Sequence, residues 1–222
     1  MSSPLVIILG HTASGKTNLA TKVAYHLKGE IISADSRQIF KAMDIGTGKD
    51  LKEYVVNGIN IPYHLIDIKE AGEFYNVNAF KEDFYSAFLS TRDKSKLPIL
   101  CGGTGMYIHS ILQNQQFTAI PKNEKLRSEL IGIEKNELQQ KLNTYPEKHT
   151  IHADLNSTKR LIRAIEIAEY LAFNDLAIRE HPAISPIVIG LQSEIAYRRE
   201  RILARLNFRL ENGLIEEVEN LL

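Results

Sequence analysis

Cysteine is nearly absent: Cys101 is the only one in 222 residues. A single thiol excludes an internal disulfide and any zinc site built from several cysteines. Long apolar runs are missing too. No stretch approaches the ~20 consecutive apolar residues of a membrane-spanning helix. The N-terminus enters a strand pattern directly, which predicts a protein without a secretory leader. Charge of one sign is also lacking, because 27 Lys and Arg balance 27 Asp and Glu for a formal net charge of +0. Bulk charge therefore gives no drive toward nucleic acid, although it leaves local patches undecided. No internal repeat or low-complexity tract is present. What remains is 44% hydrophobic and 24% charged, enough for one large domain or one domain with an insertion. These features predict a cytoplasmic protein with no membrane partner.

The strongest signal lies at the start. Leu5-Val6-Ile7-Ile8-Leu9 reads as a buried strand and runs into Gly10-His11-Thr12-Ala13-Ser14-Gly15-Lys16-Thr17. This is G-x-x-x-x-G-K-T between a strand and a helix, the P-loop pattern. Its glycines turn backbone N–H groups toward one anion, and the helix beginning near Gly15 adds its positive dipole end. Lys16 is placed to reach phosphate oxygens and the Thr17 hydroxyl to hold Mg²⁺. The loop names the anion, not the reaction.

Leu19, Val23 and Leu27 then recur at helical spacing, and Glu30-Ile31-Ile32-Ser33-Ala34 reads as a second buried strand ending at Asp35-Ser36-Arg37-Gln38. In a parallel sheet this puts Asp35 at the carboxyl edge, where open α/β sheets hold ligands. A turn or cap role explains a lone Asp equally well. The Met43–Lys49 stretch is a glycine-interrupted loop whose Lys49 is expected to face the same cleft. Residues 59–67 suggest a further extended segment, with Pro62 marking an edge or a strand start. A helix over 75–88 carries the core stripe Val77, Phe80, Phe84 and Phe88. Leu97–Cys101 forms another buried strand that opens into Gly102-Gly103-Thr104-Gly105, presenting Thr104 at the sheet edge. Cys101 reads as an inert strand residue.

From Gln113 to about Pro186 strand signals stop, and helices are expected over 122–130, 134–142 and 157–173. The last carries Lys159, Arg160 and Arg163, which can form a small basic patch over the cleft or a solvated face. Pro186–Leu191 returns to the sheet. The next helix sets Arg198, Arg201, Arg205 and Arg209 at spacings of three, four and four, beside an apolar row of Ile202, Leu206 and Leu210. This predicts a helix packed on the sheet through its apolar row, with the arginines shown to an anionic partner. The chain stops at Leu221-Leu222 inside an amphipathic pattern with no C-cap signal, as a truncated chain would. The expected class is α/β: a P-loop NTPase-like parallel sheet flanked by helices over 1–113 and 186–222, with a mostly helical insertion over 114–185.

An anion cradle, an acid and a Gly-Gly-Thr turn suit transfer from a phosphorylated donor to a nucleophile that loses a proton. A small-molecule kinase and a prenyl-type transferase both satisfy this. The ordered blocks distinguish them. Gly10–Thr17, Ser33–Gln38, Met43–Lys49, His64–Asp67, Gly102–Tyr107, Arg160–Ile167 and Gly213–Val218 appear in a series that closely resembles the tRNA dimethylallyltransferase (isopentenyltransferase) family.

The resemblance implies transfer of a dimethylallyl group from dimethylallyl diphosphate to N6 of adenosine 37 in tRNA, releasing diphosphate. It implies Asp35 and Thr104 as catalytic groups, with Gly10, Thr12, Ala13, Ser14, Gly15, Lys16 and Thr17 on the diphosphate and Mg²⁺ at Thr17. It implies Asp35, Ser36, Arg37, Gln38, Lys159, Arg160 and Arg163 on the tRNA anticodon stem-loop, the insertion being the tRNA side, and a monomer. Departures are His11 where Pro is common, Gly48 and Asp50 where Ala and Pro are usual, and Ile195 where many relatives have Arg. The sequence stops before the point where the family's Gly-Tyr-Lys-like segment and any C-terminal zinc finger would follow the Gly213–Val218 block. The alternatives are an adenylate isopentenyltransferase acting on free AMP, ADP or ATP, and a P-loop small-molecule kinase.

Overall fold

The computed structural model describes residues 2–151, 153–176 and 180–221. Strand β1 (Ser3–Gly10) leads through the P-loop into helix α1 (Lys16–Leu27), then β2 (Gly29–Ser33). A 3₁₀ turn over Leu51–Tyr54 precedes a small antiparallel pair, β3 (Val55–Val56) with β4 (Ile59–Asn60), and then β5 (Tyr63–His64). Helix α2 (Val77–Asp93), β6 (Leu97–Gly102) and α3 (Gly105–Leu112) follow. After the helical segment come β7 (Ile184–Leu191), α8 (Ile195–Glu211) and α9 (Leu214–Glu219), the intervening helices being α4 to α7.

Among the described residues the main sheet runs β5-β2-β6-β1-β7, and every pairing in it is parallel. Parallel strands need both faces covered, and alternation along each strand shows how. Leu5, Ile7, Ile32 and Leu100 face one way and pack with Phe80, Phe84 and Phe88 of α2 and Tyr107, Ile108 and Ile111 of α3. Val6, Ile8, Ile31, Ile99 and Cys101 face the other way and meet Ala20 and Ala24 of α1. The aromatic stripe of the 75–88 segment is core, as its spacing predicts: Phe80, Phe84 and Phe88 are fully buried, and Phe80 stacks on Tyr107 with centroids 4.1 Å apart. Asn76 caps α2 by accepting from the Asn78 and Ala79 amides, so the helix starts later and runs longer than its stripe implies.

Two expectations are corrected. The extended segment over 59–67 splits into β4 and β5, and only Tyr63–His64, directly after Pro62, joins the main sheet at its edge. The return strand begins at Ile184 rather than 186, because Ser3 and Pro4 extend the ladder to Ile184 and Ser185.

The chain divides into two compact units, residues 1–114 with 181–222, and residues 115–180. The second unit holds α4 (Glu124–Leu130), α5 (Lys135–Leu142), α6 (Glu147–Thr150) and α7 (Thr158–Phe173). Leu126, Leu130, Leu138, Leu142, Leu161, Ile165 and Ala168 form its own core. Ser157 caps α7 by accepting from the Arg160 amide. The fully buried Glu166 carboxylate accepts from the Asn123 amide and from both Nε and a terminal nitrogen of Arg127.

A candidate active site at the carboxyl edge of the sheet

The P-loop leaves β1 at Gly10 and enters α1 at Lys16. Gly15 holds φ at 81°, a left-handed conformation, and a Cβ there would meet nothing within 4 Å. Backbone conformation rather than space therefore requires glycine. Ala13 shares that region at φ 62°, at a cost of about 1–2 kcal/mol for a residue bearing a Cβ. The Lys16 ammonium donates to the His11 carbonyl at 3.2 Å, curled over its own loop. Ser14 Oγ is buried without a hydrogen-bond partner. Thr17 is half-buried at the start of α1, and its hydroxyl has no partner among the described residues. A loop with an orphaned hydroxyl, an open hydroxyl and a helix N-terminus fits an oxyanion group and its counter-ion.

The second glycine turn lies against the first. A Cβ on Gly103 would sit 3.4 Å from the Gly10 carbonyl oxygen and 3.7 Å from Lys16 Nζ. Gly102 is tighter still: its Cβ would fall 2.3 Å from the Ala34 carbonyl oxygen, so only glycine lets β6 end beside β2. Thr104 then ties the two strand ends together. Its amide donates to Ala34 O at 3.1 Å, its Oγ1 accepts from the Ser36 amide at 3.0 Å, and its hydroxyl donates to Ser36 Oγ at 3.3 Å. Asp35 follows directly. Its Oδ1 accepts from the Arg37 amide at 3.0 Å, an Asx-type turn, while Oδ2 has no partner among the described residues. The turn role and the edge placement coexist, each using one carboxylate oxygen.

Cys101 beneath this edge is buried, and burial pushes its thiol pKa up to about 12, which makes it inert as expected. Ser36 is committed to Thr104. Gln38 donates to the Gly48 carbonyl at 3.1 Å and accepts from Ser33 Oγ, leaving Arg37 as the exposed cation of this stretch.

Several sequence expectations are revised by the surroundings. Lys49 does not face the cleft. It is buried and bonded to Asp44, Asp67 and the Phe40 carbonyl. Burial opposes its charge, but the two carboxylates outweigh that and hold its pKa above the ordinary lysine value. Lys159, Arg160 and Arg163 do not form one open patch either. Arg160 pairs with Asp154 at 2.6 Å, and Arg163 turns inward to the carbonyls of Phe117, Ile120 and Pro121. The Phe117 carbonyl also accepts from the Ile120 amide, and one planar guanidinium reaches all three carbonyls at once.

The arginine helix is inverted relative to the expectation. α8 has no buried residue, and Ile202, Leu206 and Leu210 are 40%, 46% and 46% exposed. The arginine row is its less exposed side. Arg205 pairs with Asp50 at 2.5 Å, and an Arg209 guanidinium nitrogen would be 2.1 Å from a Cβ on Gly48. The Glu53 carboxyl is raised by burial and then by Asp50, against the pull of Arg205, Arg201 and Lys16. Arg205 thus meets the start of the Leu51–Tyr54 turn, which itself packs on the P-loop helix α1. The spacing of three, four and four was visible in the sequence, but its direction was not. Nothing in the sequence paired Asp50 with Arg205, or Glu217 with the Asp44–Gly46 amides.

No cluster of three or more His, Cys, Asp or Glu able to hold a metal exists among the described residues. A divalent ion here would share the Thr17 hydroxyl with ligand oxygens, as Mg²⁺ commonly does. No helix among the described residues is long and apolar enough to cross a membrane.

A family model described as IPP transferase matches residues 38–222. A protein of Phocaeicola vulgatus named tRNA dimethylallyltransferase 2 is 50% identical over 218 residues, covering 98% of this chain and 71% of that protein. The full-length tRNA isopentenylpyrophosphate transferase of Bacillus halodurans superposes with a TM-score of 0.67 at 31% identity, covering 99% of this chain and 70% of that one. The tRNA delta(2)-isopentenylpyrophosphate transferase of Staphylococcus epidermidis gives 0.64 at 32% identity, with 99% and 73% covered.

Proposed function

Because the chain belongs to the IPP transferase family, we propose that it transfers a dimethylallyl group from dimethylallyl diphosphate to N6 of adenosine 37 in tRNA. The observation that carries this reading is the meeting, at one sheet edge, of a P-loop with Lys16 and an acid with one open oxygen. The enzyme works as a cytoplasmic monomer.

The adenine N6 attacks C1 of the donor, the C1–O bond breaks, and diphosphate leaves with the bonding electrons. Asp35 Oδ2 takes the proton that N6 loses, while the Arg37 amide holds Oδ1 and fixes the carboxylate's direction. Thr104 holds Ser36, and with it the backbone that carries Asp35. The amides of Gly10–Thr17, the Thr12 and Ser14 hydroxyls and Lys16 receive the charge that grows on the leaving diphosphate. Arg201 and Arg205 add to that field. Thr17 would hold Mg²⁺, which when bound supplies neutralisation of diphosphate charge. An allylic carbon tolerates positive character, so stabilising the leaving group is the larger part of the work.

On the RNA side, Arg37, Lys159 and Arg160 are the exposed cations among the residues named for that role. Arg163 supports them by fixing the 117–121 backbone of its own unit. The reacting base leaves its stack to enter the pocket, and this costs less from an anticodon loop than from a duplex.

The test uses donor labelled in its prenyl group with either unmodified tRNA or AMP. Label in tRNA, lost when position 37 is guanosine, supports the reading. Label in AMP alone makes the protein an adenylate prenyltransferase instead.

A further inference from the structure

Two sequence blocks remain outside the chemistry: the Met43–Lys49 loop and the Gly213–Val218 stretch. They meet. The Glu217 carboxylate of α9 accepts from three consecutive backbone amides, those of Asp44 at 2.8 Å, Ile45 at 2.6 Å and Gly46 at 2.8 Å. Shape supports the contact on both sides. Ile45 Cδ1 would lie 3.3 Å from a Cβ on Gly213, and Leu214 Cδ1 3.5 Å from one on Gly46.

The loop itself is fixed to the first unit's core. Lys49 anchors it through Asp67 and the Phe40 carbonyl, and Gln38 holds the Gly48 carbonyl. From this anchored loop Asp50 reaches Arg205. α8 buries no residue, so apolar packing does not hold it in place. The Arg205–Asp50 pair alone does not either, because its side chains are 36% and 48% exposed and such pairs contribute little. A carboxylate accepting three amides at 2.6–2.8 Å is the strongest contact at this junction.

We infer that Glu217 is a positioning residue for donor binding: by gripping the Asp44–Gly46 amides it holds α8 so that Arg205 stays on Asp50, next to the Leu51–Tyr54 turn that packs on the P-loop helix α1. This rests on the reading of the P-loop as the donor diphosphate site. Glu217 touches neither substrate. It acts through α8.

Inorganic pyrophosphate with Mg²⁺ is the probe, measured by calorimetry on the whole chain. Glu217→Ala should weaken pyrophosphate binding about tenfold, the scale of one charge-assisted contact. Glu217→Gln, which keeps an acceptor oxygen, should lose less. In an Arg201→Ala/Arg205→Ala background, Glu217→Ala should add little, because the groups it positions are gone. Amide exchange at residues 44–46 should quicken in Glu217→Ala, and a cooperative melt for Glu217→Gln reports that the fold persists. Wild-type pyrophosphate affinity in Glu217→Ala, or a full tenfold effect in the arginine-free background, overturns the inference. Lys16→Ala separates it from its premise: if that variant binds pyrophosphate normally, the P-loop reading has failed rather than the role of Glu217.

Discussion

Asp35 has two oxygens in two different situations. Oδ1 is spent on the Arg37 amide, and Oδ2 is open at the sheet edge. Asp35→Asn keeps the size and the turn but removes the proton acceptor. Its kcat should fall by about 10²–10⁴-fold, the range for general-base removal, with pyrophosphate affinity within about twofold of wild type. Turnover near normal would take Asp35 out of the mechanism. Glu30 shows a different balance. It is buried, and burial opposes its charge, but hydrogen bonds from His64 at 2.8 Å and Lys94 at 3.1 Å outweigh that and lower its pKa below the ordinary 4.5. A carboxyl depressed on folding stabilises the fold above its unfolded pKa, and this is lost as pH falls through the folded one. Denaturation from pH 6 downward should therefore show wild type losing stability below about pH 4.5 more steeply than Glu30→Gln. Parallel pH profiles would contradict the assignment.

At the level of elements, α8 carries its cations inward and its apolar row outward. Arg201→Ala should raise the KM for dimethylallyl diphosphate more than the KM for tRNA, because it lies one helical turn from Arg205, whose partner Asp50 begins the turn that packs on the P-loop helix. Steady-state kinetics with each substrate varied in turn checks this, and an effect confined to the tRNA KM would return the row to the RNA side. In the helical unit, Glu166→Ala removes both side-chain hydrogen bonds of Arg127 and leaves the Asn123 amide without its acceptor. It should destabilise that unit by about 3–5 kcal/mol in urea denaturation. Legibility in the sequence followed the same division. The P-loop, α2 and α7 were readable because their signals are local: a fixed spacing, an aromatic stripe, an uninterrupted helical stretch. The fate of Lys49 and Arg163 was not, since each is decided by partners at Asp67 and Phe117 that no periodicity connects to them. The facing of α8 was unreadable for the same reason, because an apolar row looks inward until the contacts say otherwise.

Over the whole molecule, one sheet supplies both the anion cradle and the acid because β1, β6 and β2 are neighbours and all end on the same side. A kinase would use that arrangement to break a bond to phosphorus. Prenyl transfer breaks a bond to carbon, and which bond breaks is the central question for this protein. Dimethylallyl diphosphate carrying ¹⁴C in the prenyl group and ³²P in both phosphates, mixed with an unmodified tRNA anticodon stem-loop, tests it most directly. The prediction is ¹⁴C in the RNA and one labelled diphosphate released for each prenyl group transferred. Release of ³²P as orthophosphate, or its appearance in the RNA, would contradict cleavage at carbon.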